Sequence, residues 1–183
     1  MFKLILVVIF AVCIGLVGGV SAQDATQKTK ELVAALDKTK YKKKDKGVVH
    51  LEFFVDVKNE AALRSDRSQY TGAYEADGYL LTLTVLADGS VKGSGYDSLM
   101  DSDKPVNFEL KNARLDGALI TGTKVFDNGT EQPFEAVFVN RTTKSGSNPK
   151  TVNAEETQFG VGFIQNGGAA NSAWSNRVFL ARR

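Results

Sequence analysis

His50, the single histidine of the chain, lies two residues from Glu52, so in an extended segment the two share a face. A histidine beside a carboxylate can serve as a general base. Such a base needs a nucleophile to act on, and no Gly-x-Ser-x-Gly elbow occurs in the sequence. With Asp56 following on the same face, the pattern is that of the wet side of a half-buried strand, and no enzyme is expected. Asp97, Asp101 and Asp103, with Ser98 and Ser102, make an oxygen-rich stretch of the kind that binds calcium. Here the EF-hand order is missing, Lys104 intrudes and no distal glutamate follows at the needed spacing, so a solvated acidic turn is expected. One histidine, and one cysteine placed at position 13 inside an apolar leader, make no ligand set for zinc or copper, and no cofactor is expected.

Two other features suit binding rather than catalysis. Trp174 sits among Asn171, Ser172, Ser175 and Asn176, and an indole ringed by amides and hydroxyls can stack on a ligand or pin a loop. Lys38, Lys40, Lys42, Lys43, Lys44 and Lys46 crowd the end of a polar segment. Residues 23–46 carry eight lysines against four acidic residues, a net +4, whereas residues 47–183 hold fourteen Lys/Arg against seventeen Asp/Glu, a net −3. Cations complement the C-terminal pole of a helix. The same cluster could dock on an anionic envelope surface such as lipid headgroups, at about 1 kcal/mol per basic residue. Only Tyr41 interleaves the lysines and no groove-reading motif follows, which disfavours nucleic acid as a partner.

The elements that must position these residues divide the chain into three parts. Residues 1–22 read as an export signal, with Lys3 ahead of an apolar run and the small residues Val20-Ser21-Ala22 where a signal peptidase cuts. Cleavage near Ala22 would deliver the protein to the periplasm or the extracellular space without a cysteine, so its core has to suffice without disulfides. Residues 23–46 predict one lysine-rich helix and linker: Asp24 and Gln27 have capping-box spacing, Leu32, Val33 and Leu36 form a stripe, and Gly47 stands where a C-cap belongs. Residues 47–183 predict one antiparallel β-barrel domain. Residues 48–57 alternate, with Val49, Leu51, Phe53, Val55 and Val57 on one face. Tyr79, Leu81, Leu83 and Val85 do the same against Thr82 and Thr84.

Asp88-Gly89, Asp116-Gly117 and Asn128-Gly129 punctuate the following strands, and such pairs predict type I′ hairpin turns. Val106, Phe108 and Leu110 alternate before the second turn, Leu119, Thr121, Thr123 and Val125 after it, then Phe134, Ala136 and Phe138. Residues 142–157 are polar and predict a surface loop. Phe159, Val161 and Phe163 share a face opposite Gly160 and Gly162, which suits close backbone approach. A closing strand follows at residues 177–182. The sum is all-β, an antiparallel up-and-down barrel of about eight or nine strands behind an N-terminal helix, with a β-sandwich as the alternative.

Gly72-Ala73-Tyr74 opening a meander, an arginine-bearing last strand and the leader resemble the calycin group, the lipocalin, avidin and fatty-acid-binding barrels. Those families open with Gly-x-Trp, its ring packed beside a basic residue of the last strand. Here Tyr74 replaces the Trp, Arg177 or Arg182 is available as the partner, and a whole strand precedes the motif instead of following it. The resemblance spans residues 70–183 and implies a closed barrel with a ligand cavity. On that basis the chain is expected to be a non-catalytic carrier of a small apolar ligand, with Tyr74, Tyr79 and Trp174 near the mouth. The alternative is a cell-envelope structural or adaptor protein whose barrel is packed solid, and whose lysine-rich helix docks on anionic surfaces. A cavity above roughly 300 Å³ would favour the carrier.

Overall fold

The structure, a computed structural model, describes residues 22–38, 43–45, 48–56, 65–98, 104–146, 154–165 and 177–183. The export signal up to residue 21, Lys40, Lys42, Lys46, Asp101, Asp103 and Trp174 lie outside the described residues, as do the side chains of Lys38, Lys43, Lys44, His50 and Glu52.

The chain begins with helix α1 (Ala22–Lys38), followed by strands β1 (Lys43–Asp45) and β2 (Val48–Asp56). The single helix expected over residues 23–46 is therefore shorter, and part of its lysine-rich end is a strand. Lys43, Lys44 and Asp45 pair with His50, Val49 and Val48, and this tertiary pairing overrides the helix propensity of lysine. A short lysine-bearing strand is also a usual device for blunting a sheet edge, and β1 is that edge. Asp24 lies inside the first helical turn instead of capping it, and Gln27 Nε2 donates to Glu31 Oε1 at 2.8 Å.

A 3₁₀ turn, Arg67–Tyr70, leads into a closed ring of eight strands: β3 (Gly72–Ala76), β4 (Tyr79–Val85), β5 (Ser90–Asp97), β6 (Val106–Asp116), β7 (Leu119–Phe126), β8 (Glu131–Gly146), β9 (Ala154–Ile164) and β10 (Arg177–Arg182). Each pairs antiparallel with the next, and β10 returns to β3 through Ala181↔Glu75 and Arg182↔Tyr74. That closure makes the molecule an up-and-down barrel and not a sandwich. Strand β2 stays outside the ring. Residues 131–137 of β8 pair with β7, while 139–146 run past it and take β2 on the vacated edge and β9 on the other. Residues 142–157, expected as a loop, accordingly include the ends of β8 and β9. Thr142 and Thr157 hydroxyls meet at 3.1 Å across them and Arg141 donates to Gln158, the cross-strand pairs through which a two-sided polar hairpin holds.

All three expected dipeptides make hairpin turns, with φ of 84°, 61° and 82° at Gly89, Gly117 and Gly129. None is type I′, because among the described residues the only non-glycine with positive φ is Asn112. In the first and third, the glycine N–H reaches back to Leu86 and Phe126 carbonyls at 2.9 and 2.8 Å, and the preceding Asp88 or Asn128 side chain accepts from the amide two residues on. This is a type I turn followed by a left-handed residue.

Alternation places side chains as the pattern in β4 predicts: Tyr79, Leu81, Leu83 and Val85 are buried, Thr82 and Thr84 exposed. In β6 a bulge between Lys111 and Arg114, built on Asn112 at φ 53°, switches the inward set from Phe108 and Leu110 to Ala113 and Leu115. Helix α1 covers the outside of β8 and β9, where Leu36 is fully buried, and a Cβ at Gly162 would stand 2.6 Å from Leu36 Cδ1. Arg177 donates to the Leu36 carbonyl at 3.1 Å, so this arginine secures the C-terminal end of the helix.

Candidate functional site

At the end of the ring where the chain enters, Tyr70 of the 3₁₀ turn plugs the lumen. Its ring lies 4.2 Å from that of Phe138, and Phe138 stacks on Phe159 at 5.8 Å and 9°. Tyr74 is fully buried in this layer and donates its hydroxyl to the Tyr70 carbonyl at 2.7 Å. Arg182, its register partner, caps the layer from the surface, donating to the Gln69 and Thr71 carbonyls at 2.9 and 3.1 Å with its guanidinium 6.0 Å from the Phe159 centroid. Of the two arginines available in the sequence, Arg182 is the one beside Tyr74. Burial pushes the Tyr74 hydroxyl well above the ordinary tyrosine value, with Arg182 opposing.

The far end of the ring is built differently. Strand β7 turns Ile120, Lys124 and Phe126 inward, all buried, instead of the expected face with Thr121, Thr123 and Val125. Lys124 is 3% exposed, and its Nζ sits 4.9–5.1 Å from the ring centroids of Tyr79, Phe108, Phe134 and Phe163. Four aromatic faces around one ammonium supply attraction where water would otherwise solvate it. Its counter-ion is Asp97, 0% exposed, with Oδ2 3.5 Å from Nζ. Gln165, also buried, donates Nε2 to the same Oδ2 at 3.3 Å. The solvated acidic turn expected around Asp97 is thus corrected for this residue: the inward face of β5 carries it into the lumen.

Burial pushes the Lys124 ammonium below the ordinary lysine value, and Asp97 draws it back up. The Tyr79 hydroxyl is raised, first by burial and then by Asp97. Two polar atoms of this cluster, Tyr79 Oη and Gln165 Oε1, are buried with no hydrogen-bond partner among the described residues. Beside Gln165 opens a cavity of about 110 Å³ whose wall also includes Lys124, Phe134 and Phe163.

Tyr74 and Tyr79 therefore belong to separate aromatic layers. The far-end polar trio was missed by sequence reasoning. Its signal was present: Lys124 stands at even spacing from Ile120 and Phe126, as Asp97 does from Val91. Among the described residues no three His, Cys, Asp or Glu side chains converge as a metal site requires. Comparison with protein-family models, with curated proteins and with solved structures finds no match.

Proposed function

We propose that this is an exported, non-catalytic, calycin-like barrel that works as a cell-envelope structural or adaptor protein. The calycin reading is supported by Tyr74 lying beside Arg182 of the last strand at the plugged end. The adaptor reading is carried by the filled lumen: about 110 Å³ remains, against roughly 300 Å³ for an ordinary small-molecule pocket, and that remainder is walled partly by an ammonium. An apolar guest there would strip polar groups of solvent without replacing their bonds, which weighs against the carrier. The helix that leads into the basic segment is held to the body. Helix α1 is anchored by Leu36, by Arg177 and by a Lys28–Glu135 ion pair at 2.7 Å, so the lysines after it start from a fixed point on the barrel.

The test is co-sedimentation with vesicles of phosphatidylglycerol or of phosphatidylcholine. Binding is expected to the anionic vesicles alone, to fall away near 1 M salt where the screening length is about 3 Å, and to be lost when Lys38, Lys40, Lys42, Lys43, Lys44 and Lys46 are changed to Gln. Equal binding to both vesicles, or a six-residue variant that sediments like the parent, would remove the adaptor reading.

A further inference from the structure

The far-end cluster is more polar than a packing core requires. Aromatic rings fill the entry end, whereas here the buried Lys124 and Gln165, both joined to Asp97, line a cavity, and Gln165 Oε1 has no hydrogen-bond partner among the described residues. A buried acceptor or donor left unmade is costly, and natural cores rarely keep one without a use. We propose that this cavity is a binding site for a small zwitterion, an α-amino acid of the size of glycine or alanine.

Three observations select that chemistry. The first is size: about 110 Å³ is the share of three to four waters at about 30 Å³ each, enough for a guest of five or six non-hydrogen atoms and too little for a branched or aromatic one. The second is charge balance. Lys124 and Asp97 already neutralise each other, and at the rim Glu135 is held by Lys28, so a net anion or cation would enter as an uncompensated buried charge. A zwitterion adds none. The third is the arrangement of donors and acceptors. Lys124 lines the cavity and has N–H groups beyond the one facing Asp97, which suit a carboxylate. Gln165 Oε1 accepts, and Glu135 lines the same cavity, which suits an ammonium group.

Isothermal titration of the full chain with glycine, glycolate, acetamide and phenylalanine tests this. Glycine is expected to bind one to one and no tighter than the micromolar range, the ceiling for a five-atom ligand. Glycolate and acetamide, each lacking one charged end, should bind at least tenfold more weakly, and phenylalanine not at all. Glu135→Gln and Gln165→Leu, both at lining residues, should each weaken glycine at least tenfold. Near-UV circular dichroism on both variants separates lost binding from lost folding, and Thr82→Ser, exposed on the outer face of β4, serves as the mutated control that binds as the parent does. Glycolate binding as well as glycine, glycine binding unchanged in folded Gln165→Leu, no saturable heat, or a crystal soaked in glycine that holds only ordered water at Gln165 would each overturn the proposal.

Discussion

Both ends of this barrel set a cation against aromatic rings, and they do so in opposite ways. At the entry end, Arg182 stays at the surface, spends its N–H groups on two backbone carbonyls and leaves the interior to Tyr70, Tyr74, Phe138 and Phe159. At the far end, Lys124 is carried inside, and four rings with one carboxylate stand in for water. The first arrangement leaves the charge hydrated and closes a lumen. The second bears a desolvation cost of several kcal/mol per ion, which the pair offsets only while both members are present. Similar rings thus make a plug in one place and a polar chamber in the other, and the difference lies in where the charge is placed.

The sharpest way to break the contrast is to remove one half of the far-end pair. Lys124→Met leaves the Asp97 carboxylate buried opposite apolar atoms and is expected to lower the unfolding free energy by about 3–5 kcal/mol in a urea titration. The double change Lys124→Met with Asp97→Leu should recover the parent stability or exceed it by about 1–4 kcal/mol. A mild single variant, or a double variant no better than the single, would mean that the two ends differ less than their geometry suggests. The corresponding deletion at the entry end is milder. Arg182→Ala loses two charge-assisted bonds made at an exposed position, for about 1 kcal/mol. Lysine at that position should recover less than half of it, because it lacks the planar fork.

Proton linkage gives the smallest and most diagnostic effect. Lys124 holds its proton less tightly folded than unfolded, so between its lowered value and 10.5 the unfolded chain binds more protons and stability rises with pH. Tyr74 and Tyr79 are raised in the folded state, so above about pH 10 the unfolded chain loses their protons first and stability falls. The Lys124→Met, Asp97→Leu double variant should flatten the rise and keep the fall. A rise that survives in that variant would assign it to other groups.

Much of the wall was legible in the residues alone. Tyr79 to Val85 alternate with one face purely apolar, and the three glycine-bearing turns mark where strands reverse, so β4 and the hairpins around it could be read without tertiary information. Strand β7 misled because both its faces carry apolar residues: Leu119 is buried outside the ring and Ile120 inside it. The β6 bulge has no apolar signature, since Asn112 is an ordinary polar residue until its φ of 53° is known. The candidate site was the least legible part. A lone Asp or Lys in a strand reads as solvent-facing, and nothing within a few residues of Asp97 announces Gln165, 68 positions away.

What the sequence by itself determined is the period-two alternation, the places where the chain turns and the surplus of aromatic residues available to fill a core. Those follow from sterics and side-chain polarity acting over a few neighbouring residues. Only the tertiary structure decided that β8 has two partners along one edge, that part of the lysine run pairs as a strand, and that one ammonium and one carboxylate are shut inside. Enclosure is the physical reason: even spacing says which residues share a face of a strand, but whether that face is shut off from water depends on strands that arrive from far along the chain.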